Sequence, residues 1–247
     1  YRKNGSSPSR RNYKSANVVS DMIKETRKLM LEFFRADKNY DVVFTSSATI
    51  SINTILSGYN FRDGMNIYIS PFEHNAVVRT LENIKSKVSI NLCKLVVNTK
   101  DLLYDINYIE KQFVEITPDM VILNHASNVI GLIAPVKEIF SMSKLYNAVN
   151  VLDASQTAGI LEINIKEIRA DFIVFAGHKA LYSPFGISGI VLNNSIKINP
   201  LIFGGTGFDS ASKAMPSEYP ERLEPGSIST YSIAGLNSAV KWINQVG

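Results

Sequence analysis

Two stretches of similar design decide the fold: VNVLDASQ at residues 149–156 and FIVFAGHK at residues 172–179. Each begins with a mostly apolar run of strand length, which Asn150 interrupts in the first stretch, and ends in polar side chains. Continuous apolar runs are typical of strands that are buried on both faces of a helix-covered parallel sheet. Ligands bind beyond the carboxyl ends of such strands. We therefore expect Asp153 and Lys179 to lie at the same edge of a sheet.

Outward from these stretches, β-rich runs alternate with helical stretches along most of the chain. This alternation predicts an α/β fold, a three-layer α/β/α sandwich with a mostly parallel central sheet. No internal repeat or domain linker is apparent, which predicts one large domain. Besides the two stretches above, the sequence predicts strands at 41–44, 66–69, 88–97, 120–123 and 187–192, and helices at 17–34, 48–56, 75–85, 105–115, 135–146 and 232–244.

Composition excludes several classes of protein. The chain has 247 residues, 45% of them hydrophobic and 19% charged, which is too apolar for a disordered chain. It has no apolar run of transmembrane length and no visible signal peptide. The single cysteine, Cys93, forbids an internal disulfide and favours a reducing, cytoplasmic location.

Part of the net charge of +4 comes from basic residues near the start of the chain: Arg2, Lys3, Arg10, Arg11 and Lys14. They could form a nucleic-acid-binding arm. A solvated or partner-contacting terminal segment is favoured, because no nucleic-acid-binding motif follows them. We therefore expect neither a nucleic acid nor a membrane as partner.

Polar side chains follow five of the predicted strands. They are Ser47-Ala48-Thr49, Glu73-His74-Asn75, Asn124-His125 with Asn128, Asp153 with Gln156, and Gly177-His178-Lys179. An amine next to a carboxylate at such an edge suits pyridoxal phosphate. The lysine binds its aldehyde, and the carboxylate keeps the pyridine nitrogen protonated. A helix N-terminus with hydroxyl side chains suits the phosphate.

Seven motifs in order carry a family resemblance: FTSSAT at 44–49, EHNA at 73–76, HASNVIG at 125–131, DASQ at 153–156, GHK at 177–179, GGTG at 204–207 and RLEPGS at 222–227. Together they resemble the class V aminotransferases, which are fold type I enzymes that depend on pyridoxal phosphate. Within that family they are most similar to cysteine desulfurases, which remove sulfur from L-cysteine.

The resemblance implies a role for each matching residue around the cofactor ring. Lys179 is then the Schiff-base lysine and proton shuttle, and Asp153 pairs with the pyridine nitrogen. His74 stacks on the ring and moves protons. Gln156 hydrogen-bonds the ring hydroxyl, and Asn128 lies near that hydroxyl and the carboxylate of an amino-acid substrate.

The resemblance also implies a phosphate site and a partner. Ala48, Thr49 and His178 contact the phosphate. Ser227 matches a residue that reaches the phosphate bound by the other subunit, which implies a homodimer with shared active sites.

Three departures from the family pattern qualify these expectations. Ala176 stands where many relatives have a phosphate-binding serine, and Ser227 stands where threonine is usual. The sequence ends at Gly247, before the family's small C-terminal domain, which carries a substrate-binding arginine and, in desulfurases, the reactive cysteine. We therefore expect residues 1–247 to form the cofactor-binding large domain. A truncated or degenerate module that binds cofactor or dimerises without turnover is the alternative.

Competing interpretations of single residues are weaker. A zinc site built from His74, His125, His178 and Asp153 matches no common ligand spacing. The glycines at 204–207 lack the third spaced glycine of a dinucleotide-binding loop. His125 is expected to support the site rather than to react. Cys93 lies among aliphatic residues of a predicted strand, which favours an inert thiol over a sulfur acceptor.

Overall fold

The computed structural model describes residues 14–98, 100–207 and 212–246. The basic residues Arg2, Lys3, Arg10 and Arg11 therefore lie outside the described residues. The described helices are α1 (Lys14–Phe33), α2 (Ala48–Gly58), α3 (Asn75–Lys85), α4 (Ile106–Glu115), α5 (Val136–Ser143) and α6 (Thr230–Val246), with 3₁₀ turns at Lys144–Tyr146 and Glu221–Leu223. The strands are β1 (Tyr40–Thr45), β2 (Asn66–Ile69), β3 (Asn91–Lys94), β4 (Met120–Asn124), β5 (Val149–Asp153), β6 (Phe172–Ala176) and β7 (Ser188–Asn193).

These seven strands form a sheet in the order β1-β7-β6-β5-β4-β2-β3. The ladders from β3 to β6 are parallel, whereas β7 runs antiparallel to both of its neighbours, β6 and β1. Helices α2 and α3 bury their apolar sides on one face of the sheet, and α1, α4, α5 and α6 cover the other face. The prediction of a three-layer sandwich with a mostly parallel sheet is confirmed.

Strand β6 shows why a central strand can be apolar along its whole length. In β6, Ile173 and Phe175 pack into the core on one face, and Phe172 and Val174 pack into the core on the other. Both sets of side chains are fully buried. A strand with this environment has no position for an outward-facing polar residue, which is why its polar residues come only at the end.

The predicted strand at 88–97 is wrong in its length, because only Asn91–Lys94 is a strand. Strand β3 is at the edge of the sheet, and its one partner, β2, covers four residues. The ladder can be no longer than that partner. Before it, Ile90 donates its amide to the carbonyl of Val88 in a tight turn.

The described helices include none that is both long enough and apolar enough to cross a membrane.

An ion pair ties the 222–227 motif to the first helix and strand. Arg27 of α1 donates two hydrogen bonds to the carboxylate of Glu224, at 2.8 and 2.6 Å, and Glu224 Oε1 also accepts the amide of Phe44 at 2.5 Å. The side chains of Arg27 and Glu224 are only 17% and 7% exposed. The paired charges thus hold α1, β1 and the later loop together at a site with little water.

We expect Glu224→Ala to lower the free energy of unfolding by about 3 kcal/mol or more, because it leaves the Arg27 guanidinium buried without its counter-charge. Urea denaturation of the apoprotein measures this. Lys241→Ala is the matched control, since it breaks an ion pair to Glu25 whose side chains are about half exposed. That change should cost less than about 1 kcal/mol. Equal losses in the two variants would contradict a structural role for the Arg27–Glu224 pair.

Candidate active site

A cavity of about 190 Å³ lies beyond the carboxyl ends of the parallel strands. Eight of the nine site residues predicted from the sequence line it: Ala48, Thr49, His74, Asn128, Asp153, Gln156, His178 and Lys179. These residues come from five separate segments of the chain, each following a strand. The fold therefore brings the predicted site together at one place.

Asp153 and Lys179 reach this cavity from neighbouring strands. Asp153 is the last residue of β5 and lies opposite Val174 of β6 in the parallel ladder, five residues before Lys179. Asp153 is buried, and its Oδ1 atom accepts the amide of Ser155 at 3.0 Å. Lys179 is half-buried, and its amine has neither an ion-pair partner nor a hydrogen-bond acceptor among the described residues. The amine is thus available to a ligand.

The N-terminus of α2 forms another wall of the cavity. Ser47 caps this helix, since its Oγ atom accepts the amide of Ile50 at 3.3 Å. The amides of Ala48 and Thr49 precede the first intrahelical bonds and have no acceptor within the helix. Free amides and the positive end of the helix dipole favour a bound anion such as a phosphate.

His74 is held at the mouth of the cavity by its own backbone. It caps α3, and its Nδ1 atom accepts the amide of Ala76 at 3.0 Å. Because Nδ1 is the acceptor, Nε2 carries the proton when the ring is neutral. The ring is therefore oriented, with one nitrogen left for a ligand, which suits a flat aromatic molecule beside it.

Comparison with known proteins identifies the family. The model of the family Aminotransferase class-V matches residues 1–247. The chain belongs to this family. Similar proteins include probable cysteine desulfurases from Pyrococcus abyssi, 28% identical over 95% of this chain and 59% of the relative, and from Halalkalibacterium halodurans, 28% identical over 100% of this chain and 62% of the relative.

Among solved structures, the fold is similar to the apo structure of a cysteine desulfurase from Thermococcus onnurineus. The TM-score is 0.92 at 27% identity, over 99% of this chain and 62% of that one. The chain thus spans about three-fifths of the length of these relatives.

One predicted residue of this class V aminotransferase lies apart from the other eight. Ser227 is exposed and lines a separate groove of about 370 Å³, together with Thr45, Ile50 and Glu224. The contact expected for Ser227 is with the other subunit rather than with the cavity of its own chain. The role itself remains a prediction.

His125 and His178 have distinct places. The Nδ1 atom of His125 lies 2.8 Å from the hydroxyl oxygen of Thr157, and burial lowers the pKa of His125 to about 4. It does not line the cavity, so it supports the loop after β5 as a neutral group. His178 does line the cavity, and its ring stacks on Phe185 with the centroids 4.9 Å apart. No local sequence pattern indicates that Phe185 is the aromatic neighbour of His178.

A buried acid beside the cavity received no role from the sequence. Glu73 Oε1 accepts the amide of Asn124 at 2.7 Å, and Oε2 is buried without a hydrogen-bond partner, although the residue as a whole is partly exposed. Burial raises the pKa of Glu73 well above its ordinary value, and the nearby charge of Asp153 raises it further. Its place in the loop between β2 and α3, directly before His74, was the available signal.

Two other features lie away from the cavity. Cys93 is in the edge strand β3, where burial raises the pKa of its thiol. A larger cavity of about 690 Å³ opens at the opposite edge of the sheet, and there Lys144 and Asp171 pair with each other. In the parts of the chain that the structure describes, no group of three or more His, Cys, Asp or Glu side chains could hold a metal ion.

The raised pKa of Glu73 predicts a pH effect on the stability of the apoprotein. The unfolded chain releases this proton near pH 4.5, whereas the folded chain keeps it to higher pH. Between the two pKa values the folded state binds more protons, so stability falls as pH rises. Relative to Glu73→Gln, which has no proton to lose, the wild type should lose up to about 1.4 kcal/mol per pH unit above pH 4.5.

Urea denaturation of both apoproteins at intervals from acid to mildly alkaline pH measures this difference. His125 titrates with the opposite sign but is present in both proteins, so its contribution cancels. A constant difference in the free energy of unfolding across the whole range would contradict a protonated Glu73.

Proposed function

We propose that residues 1–247 form the cofactor-binding domain of a pyridoxal-phosphate-dependent enzyme that acts on an amino acid, most like a cysteine desulfurase. One observation carries the proposal. The buried carboxylate of Asp153 and the unpaired amine of Lys179 line one small cavity with the N-terminus of α2. Family membership and the names of the relatives support it.

The residues of the cavity fit pyridoxal phosphate by their chemistry. The cofactor presents a phosphate, an aldehyde and a basic ring nitrogen, and the cavity offers helix amides, an amine and a carboxylate. The cavity is smaller than those common for drug-sized ligands, as a small cofactor requires. Ser155 also lines the cavity, and its buried hydroxyl has no hydrogen-bond partner among the described residues.

The family resemblance and the place of each side chain in the cavity support the following roles. When bound, pyridoxal phosphate supplies a ring that accepts the electron pair left by a breaking bond at the α-carbon of the amino acid. Asp153 holds a proton on the ring nitrogen. Lys179 would hold the aldehyde through its amine and would move a proton at the α-carbon of the amino acid. His74 covers one face of the ring, and Gln156 donates to the ring hydroxyl.

The remaining cavity residues bind and orient. The amides of Ala48 and Thr49, the Thr49 hydroxyl and His178 bind the phosphate, and Asn128 lies at the substrate side. Sulfur removal also requires a thiol that accepts the sulfur. Cys93 does not line the cavity, so we do not assign that role to it.

We further propose a cytoplasmic homodimer in which Ser227 contributes to the partner's phosphate site. The exposed position of Ser227, outside the cavity of its own chain, supports this arrangement. The single cysteine supports a reducing compartment.

Covalent attachment of the cofactor tests the proposal. Wild-type protein with pyridoxal phosphate should show a near-visible absorbance band, and borohydride reduction should fix the cofactor on the peptide that contains Lys179. Lys179→Ala should abolish both, because no other amine lines the cavity. Lys111→Ala, which changes an exposed lysine of α4, is the matched control and should leave both intact. Attachment to another lysine would contradict the assignment.

Turnover distinguishes an enzyme from a binding module. With L-cysteine as substrate and dithiothreitol added as the thiol that accepts the sulfur, the wild-type protein should release sulfide, and the dithiothreitol is oxidised in the process. Asp153→Asn should lower kcat on the order of 100-fold, because the ring nitrogen loses the charge that stabilises its proton. Cofactor attachment at Lys179 without any sulfur release would instead favour a module that binds cofactor without turnover.

A further inference from the structure

Few buried side-chain oxygens in the described parts of the chain have no hydrogen-bond partner. They are Glu73 Oε2, Ser155 Oγ, Ser188 Oγ and Asn194 Oδ1. Native proteins retain few such groups, and each calls for an explanation such as a bound ligand. Of these four residues, only Ser155 lines the cavity beyond the carboxyl ends of the strands.

Ser155 lies in the chain between two residues of the cavity wall, Asp153 and Gln156. Its amide donates to Asp153 Oδ1 at 3.0 Å, and the next residue, Gln156, also lines the cavity. The residue as a whole is 6% exposed, so water has little access to the hydroxyl. Ser155 is therefore held between two residues to which we assign contacts with the cofactor ring.

The neighbouring strand provides no partner for this hydroxyl. Asp153 lies opposite Val174, and the amide of Ala154 donates to the carbonyl of Val174 at 2.9 Å. The ladder ends there, and the chain turns at residues 155–157. Ala176, the last residue of β6, also lines the cavity. An alanine side chain can neither donate nor accept a hydrogen bond.

We propose that the Ser155 hydroxyl is a further binding contact for pyridoxal phosphate and makes a hydrogen bond to the bound cofactor. This inference rests on the proposed function. In the apoprotein the hydroxyl is buried without a partner, and the cofactor supplies one. The Ser155 hydroxyl thus gains a hydrogen bond when the cofactor binds, and this gain favours binding.

Two measurements distinguish a binding role of Ser155 from a structural role: the thermal midpoint of the apoprotein and the affinity for the cofactor. Removing a hydroxyl that has no partner in the apoprotein should leave the thermal midpoint of the apoprotein unchanged or raise it. The same change should weaken cofactor binding, because one hydrogen bond of the complex is lost. A hydroxyl that merely holds the loop together would instead lower the midpoint of the apoprotein when it is removed.

The experiment compares the full chain with Ser155→Ala and with Ser188→Ala. Ser188 is the matched control, since its hydroxyl is equally buried and unpartnered but lies in β7, outside the lining of the cavity. Equilibrium titration with pyridoxal phosphate gives the dissociation constant, and thermal unfolding of each apoprotein gives its midpoint. We expect Ser155→Ala to raise the dissociation constant about 5- to 10-fold with no drop in midpoint, and Ser188→Ala to leave the constant unchanged.

The other possible results contradict either the Ser155 contact or the proposed function. An unchanged dissociation constant in Ser155→Ala overturns the contact, as does an equal weakening in Ser188→Ala. A lowered apoprotein midpoint in Ser155→Ala assigns the residue a structural role and also overturns it. If the wild-type protein itself fails to bind pyridoxal phosphate, the proposed function fails, and that result is visible before any variant is made.

Discussion

The parallel pairing of β5 with β6 is the constraint on which the site depends. It sets Asp153 opposite Val174, and thereby places the carboxylate at the end of one strand beside the segment that carries Lys179 on the next. Both strands are buried on both faces by helices, so they cannot slide without exposing apolar side chains or burying polar ones. The distance between the two reactive groups is therefore set by the packing of the whole sandwich rather than by a local loop.

Near Asp153 and Lys179 the protein buries polar groups that reduce the stability of the folded state. Glu73 Oε2 and Ser155 Oγ are buried without partners, and His125 is buried as a neutral ring. Such groups weaken the folded state, and natural proteins concentrate them at functional sites. On the far side of the sheet, by contrast, the buried amide of Asn150 is satisfied by Ser143, Phe140 and Arg169.

Much of this arrangement can be predicted from the sequence, because it depends on local patterns. The apolar runs of β4, β5 and β6 reveal buried strands, and the polar residues after them must share an edge. Contacts between distant segments could not be predicted in this way. The pair of Arg27 with Glu224 joins residues 197 positions apart, and no local pattern connects them. The length of β3 depends on its partner strand, and the burial of Glu73 depends on Asn124 in another segment.

The central claim is that Lys179 and Asp153 face each other across one pyridoxal ring. A crystal structure of the protein grown with pyridoxal phosphate tests it most directly. We expect continuous density from Lys179 Nζ into a ring whose nitrogen lies within about 3 Å of the Asp153 carboxylate, as a hydrogen bond requires. A ring that is attached to a different lysine, or whose nitrogen points away from Asp153, would contradict the account.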